Sequence, residues 1–343
     1  MNNIIKILTM KPNSQSLTII KKSIIIILLL FVSLFAEEYK LMFWNVENLF
    51  DTIDDPNKED DDFTPNSYFR YTARAYQLKL ENLAEIINDI SPDLIGLAEV
   101  ENIGTLNSLS ELMKYQNYWK IILIEGDDVR GIDVALMYRS DKFNLIDSIS
   151  HKVNLHSPRP TRDILEVNLE TDSKNVFTVL VNHWPSRYGG QEESESNRIR
   201  AAETLKSIVN NIQKSSSNRD IIVMGDFNDT FTDKSFQEIL NAEKVFSSKS
   251  FLIDPLANLI NKNEGSYYYH GEWSLLNHFL LNKNLYDNEN INYKNNSADI
   301  YKADKLIEGK TEYFSGFPFR YYKIYRINGG YSDHLPIIMV LED

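Results

Sequence analysis

"IIVMGDFND", residues 221–229, opens on an unbroken apolar run and closes on Asp226, Phe227, Asn228 and Asp229. Such a run suits a strand covered on both faces, by a second sheet on one side and by helices on the other. Successive strand side chains alternate faces, so continued extension points Asp226 and Asn228 the same way as the chain leaves the core. Taken alone, the stretch is equally an Asx turn closing an ordinary strand.

The same design recurs at other strand ends. "FWNVEN" places Asn45 and Glu47 on one face, and "GLAEVEN" does so with Glu99 and Glu101. "VNHW", followed by "PSR", ends a strand in His183, and "YSDHLP" puts Asp333 and His334 ahead of the last strand. A lone histidine is more often structural than catalytic. Five strand ends carrying Asn, Asp, Glu or His are better explained by convergence at one rim. Further strand-like runs lie at 119–125, 131–139, 163–170 and 273–281 ("WSLLNHFLL"), with helical spacing over 74–90 and 194–214 and a short third helix at 234–240. Without an internal repeat or a long linker, the pattern predicts one large α+β sandwich over residues 37–343.

Hydrophobic residues make up 43% and aromatics 12% of the 343-residue chain, enough for a sizeable core. With no cysteine, disulfides, thiolate nucleophiles and zinc–thiolate sites are excluded. A metal must be held by oxygen or by the six histidines; oxygen ligands suit magnesium, manganese or calcium. Residues 1–36 read as a signal peptide, with Lys21 and Lys22 before a short apolar run that ends at Ala36. An uncleaved N-terminal anchor is the competing reading. The signal peptide predicts a secreted or periplasmic protein. Removing its four lysines from the 36 basic residues leaves 32 against 49 acids, a net charge of −17. A phosphate-bearing substrate then needs a local basic patch or a bridging cation. The acid-rich stretch 51–62, "DTIDDPNKEDDD", reads as a solvated turn, with a calcium-stabilised loop as the sharper alternative. Residues 284–312 read as a surface excursion.

"FWNVEN", "GLAEVEN", "RGIDVALMYR", "VNHWPSR", "MGDFND" and "GGYSDHLP" occur in the order and character of the endonuclease/exonuclease/phosphatase superfamily, the DNase I-like fold. The resemblance spans residues 39–340 and looks nearest to the secreted bacterial branch. It implies a four-layer α/β/β/α sandwich of two packed mixed sheets, and phosphoester hydrolysis dependent on Mg2+ or Mn2+. It implies Glu99 as the main metal carboxylate, with Asn45 and Asp333 also at the metal. Asp226 would orient or deprotonate the attacking water, Asn228 would hold a phosphate oxygen or the metal, and His334 would contact the scissile phosphate. His183 resembles the second histidine of DNase-like members, with Asp133 its carboxylate partner. Arg187 would contact substrate phosphate.

One position departs from the family pattern. Where an aspartate usually supports the catalytic histidine, this chain has Asn277. An amide still orients the ring of His334 but supplies no charge to raise its pKa. Alternation puts Asn277 toward the rim and His278 on the opposite, structural face. Three outcomes follow: His334 acts as a neutral donor, a nearby carboxylate substitutes, or catalysis is lost and binding retained. The leading expectation is a nuclease, with nucleic acid as partner and no stable protein partner, hence a monomer. The runner-up is a phospholipid or inositol-phosphate hydrolase. Arginines 70, 74, 130, 159, 162, 187, 198 and 200 discriminate between them, by lying on one rim or being scattered.

Overall fold

The structure, a computed structural model, describes residues 37–155, 159–247, 250–259, 264–312, 314–324 and 326–343. The signal-peptide reading of residues 1–36 lies outside them. Among the described residues no helix is long and apolar enough to cross a membrane.

The strands in chain order are β1 (Glu38–Leu49), β2 (Leu94–Val100), β3 (Trp119–Leu123), β4 (Asp133–Arg139), β5 (Phe143–His151), β6 (Ile164–Thr171), β7 (Val176–His183) and β8 (Asp220–Asp226). Then follow β9 (Ala242–Glu243), β10 (Leu252–Ile253), β11 (Tyr267–Tyr269), β12 (Glu272–Ser274), β13 (Asn277–Leu281), β14 (Asn292–Tyr293), β15 (Asp299–Ile300), β16 (Ile307–Glu308), β17 (Phe317–Pro318) and β18 (Ile337–Glu342). The helices are α1 (Ala73–Ile90), α2 (Ile103–Ser110) and α3 (Gln191–Ser215). The first large sheet runs β14-β18-β1-β2-β4-β3, with β15 also on β18. The second runs β5-β6-β7-β8-β13-β10-β9. Both are mixed: β1 and β2 are parallel, as are β7 and β8, while β2–β4 and β8–β13 are antiparallel.

The layering follows from which residues are apolar on which face. Leu41 and Phe43 of β1 and Leu136 of β4 meet Val167, Val179, Ile222, Met224 and Phe279 of the second sheet in one buried cluster. Met42 and Trp44 point the other way and pack on Leu80, Leu83 and Ile87 of α1 and Leu106 and Leu109 of α2. Ile221, Val223 and Leu280 pack outward on Ala201, Leu205 and Val209 of α3. All seven residues of β8 are buried, as its apolar run requires. The result is the four-layer α/β/β/α arrangement.

Several elements differ from expectation. "WSLLNHFLL" is two strands, because Leu275 and Leu276 break the ladder between β12 and β13. Ser266 Oγ accepts from the Leu276 and Asn277 backbone N–H groups at 3.2 and 3.1 Å, replacing ladder bonds. Residues 235–240 form a single π-helical stretch. Helix α2 was not anticipated; it is short and starts where Asn102 accepts from Thr105 N at 3.0 Å. Strand β5 was also missed. It is an edge strand with Ile146 and Ile149 exposed, so it carries no half-buried alternation. Within 284–312, short strands β14 and β15 extend the first sheet.

His278 is fully buried on the face away from the rim, as alternation places it. Its Nδ1 is 2.7 Å from Asp254 Oδ2, and its Nε2 is 3.0 Å from Leu275 O. Its ring packs against Phe236 at 4.6 Å. Replacing His278 with Ala strands the buried Asp254 carboxylate. Urea unfolding is expected to show a loss of about 3–5 kcal/mol; a loss below about 1 kcal/mol would mean that this pair does not support the core.

Candidate active site

Three neighbouring strands bring one row of side chains to the rim. In the ladder His183 of β7 stands opposite Asp226 of β8, and Asp226 stands opposite Asn277 of β13. The approach of β7 and β8 requires glycine at 225, since a Cβ there would lie 2.5 Å from Asn182 O. The first sheet contributes Asn45 from β1 and Glu99 from β2. Asn45 Nδ2 donates to Asp226 Oδ2 at 3.0 Å and to Glu99 Oε1 at 3.2 Å, which ties the two sheets at the rim.

Regular alternation stops at this rim. Glu47, Asn48, Glu99 and Asn228 have φ of 52°, 54°, 64° and 51°, left-handed values that strain residues other than glycine. The ladders slip at the same places, between Asn45 and Leu49 in β1 and between Ala98 and Val100 in β2. Glu101 therefore does not share the site with Glu99. Its carboxylate accepts from Asp51 N at 2.6 Å and lines a cavity of about 220 Å³ under the acidic loop. Glu47 turns to Arg320, whose Nε donates at 3.1 Å, and accepts from Tyr321 N at 2.6 Å. Asn228 closes an Asx turn by donating its N–H to Asp226 Oδ1 at 3.0 Å, and its Nδ2 donates to Trp184 O at 3.1 Å.

The expected pairing of Asp133 with His183 is not formed. Asp133 starts β4, opposite Val100, and its carboxylate turns to the same acidic cavity, accepting from Gly126 N at 3.0 Å. Burial pushes its carboxyl up to about 7. His183 Nδ1 is buried with no hydrogen-bond partner among the described residues. Its Nε2 lies 3.8 Å from Asp226 Oδ2 and 3.9 Å from Glu99 Oε1. Burial, then the charges of Arg162 and Arg130, holds its pKa well below the ordinary value, so the ring is neutral at pH 7.

His334 is held as the rim alternation of β13 implies. Its Nδ1–H donates to Asn277 Oδ1 at 3.0 Å, while Asn277 Nδ2 donates to Leu335 O at 3.2 Å. This fixes the tautomer, and a neutral His334 carries a lone pair at Nε2. That atom lies 3.6 Å from Asp226 Oδ2. Donation from Nε2 therefore requires the imidazolium, and the neutral-donor alternative does not fit this geometry. Ser332, unremarked within "YSDH", adds a brace: its hydroxyl donates to Asn45 O at 2.7 Å and accepts from His334 N at 3.0 Å.

Asp333 sits beside Arg320, whose guanidinium donates to it at 2.7 Å. Arg320 lies in an irregular aromatic stretch with no periodicity to mark it. Burial first, and then the Asp333 charge, raises the Glu99 pKa above the ordinary carboxylate value. Glu47 is pushed up to about 8 by burial and the same Asp333 charge. Among the described residues, no group of three or more acidic or histidine side chains is already arranged to hold a metal ion, at the rim or in the acidic loop. The donor chemistry at the rim nonetheless fits magnesium, which is commonly held through one or two carboxylates and keeps several waters. Glu99, Asp333 and the Asn45 amide would be its protein ligands.

Arg187 is committed to the protein: it donates to Asn228 O at 2.7 Å and to Asp233 at 3.0 Å, and so braces the loop after Asp226. Arg198 is buried on Asp229, and Arg74 and Arg200 pair with glutamates on helix surfaces. Arg130, Arg159 and Arg162 line one cavity beside the rim.

A model of the Endonuclease/Exonuclease/phosphatase family matches residues 40–343. No curated protein matches the chain. Similar solved structures include the catalytic domain of human Nocturnin with bound sulfate, 17% identical, covering 89% of this chain and 94% of that one at a TM-score of 0.57. A mannosyl-6-phosphatase of Bacteroides thetaiotaomicron is 15% identical, covering 88% and 99% at 0.56. D. rerio TDP2 complexed with single-strand DNA product is 12% identical, covering 90% and 100% at 0.57. With two packed mixed sheets, a rim of strand-end carboxylates and histidines, and a family match over nearly all described residues, the chain belongs to the endonuclease/exonuclease/phosphatase family and has its DNase I-like fold.

Proposed function

We propose that the protein is a divalent-metal-dependent phosphodiesterase that hydrolyses nucleic acid, exported from the cell and acting as a monomer. The observation that carries the reading is the placement of Asp226 Oδ2 within 4 Å of both His183 Nε2 and His334 Nε2, under the Asn45 amide. Glu99 and Asp333 would hold a divalent cation, which would neutralise charge on the reacting phosphate. Asp226 orients the attacking water and takes its proton. His334, as imidazolium, donates from Nε2 to the developing negative charge, and neutral His183 donates from its own Nε2. The nucleic-acid substrate is favoured by an aromatic ladder that leads away from His334. The Tyr267 ring lies 4.7 Å from the His334 ring and 6.3 Å from the Tyr269 ring, and the last two are inclined by only 20°. Tyr269 is 61% exposed, and bases stack on such faces in a sequence-tolerant way. The net charge of −17 over residues 37–343 disfavours extended duplex binding and favours single strands or short substrates.

Incubation of the protein with plasmid and single-stranded DNA and Mg2+ or Mn2+ is expected to give cleavage that EDTA abolishes. Turnover confined to inositol phosphates or phospholipids would replace the substrate class, and metal binding without turnover of any phosphoester would favour a binding protein. Asp226→Asn is expected to lower the rate by at least about 100-fold.

Asn277→Asp tests the His334 assignment. A carboxylate at 277 stabilises the imidazolium and raises its pKa, so the acid form persists to higher pH. The alkaline fall of activity should then move upward by roughly one pH unit or more, whereas Asn277→Ala should lower activity. One shared pH–rate profile for all three proteins would remove His334 as the titrating donor.

A further inference from the structure

Beside the rim lies a cavity of about 480 Å³, lined by Asp128, Arg130, Thr161, Arg162, Ser186 and Tyr188 among others. None of the rim residues Asn45, Glu99, Asp226, Asp333 and His334 lines it. It is joined to the rim through Trp184, whose carbonyl accepts from Arg162 at 2.6 Å and from Asn228 at 3.1 Å. The volume falls in the range of small-ligand pockets.

The charges in it do not balance locally. Arg130 and Arg162 both donate to the one carboxylate of Asp128, each at 3.2 Å. Arg162 is buried, and its Nε has no hydrogen-bond partner among the described residues. The neighbouring Thr161 hydroxyl is buried and equally without a partner. Burial, followed by repulsion from Arg130, lowers the Arg162 pKa below its ordinary value, as expected of a guanidinium short of counter-charge. Arg159, which pairs with Glu59, adds a third guanidinium to the lining. Tyr188 is 94% exposed at the edge. Two guanidiniums that share one carboxylate in a cavity wall are short of counter-charge, and arginine pairs suit phosphate by forked hydrogen bonding.

We propose that this cavity binds a second phosphate of the substrate, one that is carried next to the phosphoester to be cut and is not itself hydrolysed. The assignment rests on the phosphoesterase reading of the rim and sharpens it. Substrates with a neighbouring phosphate are selected over those with a single one, and the selection comes from Arg130, Thr161 and Arg162.

Two measurements separate the pocket from the catalytic reading. In the first, inorganic phosphate is titrated calorimetrically into the full protein in EDTA, so that no turnover is needed. Arg130→Gln removes a half-exposed guanidinium and Tyr188→Asp puts a negative charge at the edge; each should weaken phosphate binding on the order of tenfold. Undetectable binding to the native protein, or equal affinity in all three, overturns the pocket. In the second, with Mg2+, the 5′-phosphorylated dinucleotide pTpT is compared with TpT, and fructose 1,6-bisphosphate with fructose 6-phosphate. A lower KM for pTpT, with the preference collapsing in Arg130→Gln, supports the proposal on a nucleic-acid substrate. The same collapse confined to the sugar pair supports the pocket and moves its ligand to sugar phosphates. If no compound is cleaved, the nuclease reading fails while the titration still decides the pocket.

Discussion

The amide of Asn45 is the joint on which the rim depends. It donates one hydrogen to Glu99 of its own sheet and the other to Asp226 of the facing sheet. Two carboxylates in neighbouring sheets, Asp226 buried and Glu99 half-buried, would otherwise repel across a gap of low polarity. A neutral donor between them holds both in place without cancelling their charge, which stays available to a cation or a proton. His334 is braced to the same strand: Ser332 bonds the Asn45 carbonyl and the His334 N–H, and the Trp44 indole donates to the His334 carbonyl at 2.8 Å.

The parts of this arrangement legible in the sequence are those where strand geometry persists to the last residue. Strand β8 stays extended through Asp226, and β13 is extended from Asn277, so alternation places Asp226, Asn277 and His278 on the faces where they lie. Legibility ends where the backbone turns left-handed. The pattern that pairs Glu99 with Glu101 and Asn45 with Glu47 assumes extension, and φ of 64° at Glu99 and 52° at Glu47 sends the partners elsewhere. The two glutamates hold this conformation at a cost of order 1–3 kcal/mol each, which suits a site whose side-chain directions outrank local stability. Asp133, within "RGIDVALMYR", departs for a different reason: it opens β4 opposite Val100, and its carboxylate turns to Gly126 N and the acidic cavity, away from His183.

The fold shows the same division. Long amphipathic or fully apolar stretches such as α1, α3 and β8 are readable because their burial repeats with a period. Two-residue strands, the edge strand β5 and the eight-residue α2 owe their shape to neighbours and caps rather than to periodicity. Arg320 belongs with these. It reaches Glu47 and Asp333 at once from an irregular segment, and only the assembled site reveals it.

Asn277 is better understood through Asp226 than through the aspartate it replaces. A carboxylate at 277 would meet His334 at Nδ1 and add a charge beneath the ring. Here the charge lies on the other side, with Asp226 Oδ2 3.6 Å from Nε2. The amide below sets the tautomer, and the acid above faces the other ring nitrogen. On the proposed reading one carboxylate serves two demands, facing the imidazolium of His334 and accepting a proton from the nucleophile. An acid that takes up a proton beside an imidazolium loses its hold on that cation at the moment the cation is asked to donate. On the proposed reading the two proton movements are coupled, and the absent aspartate is a change in where the charge sits.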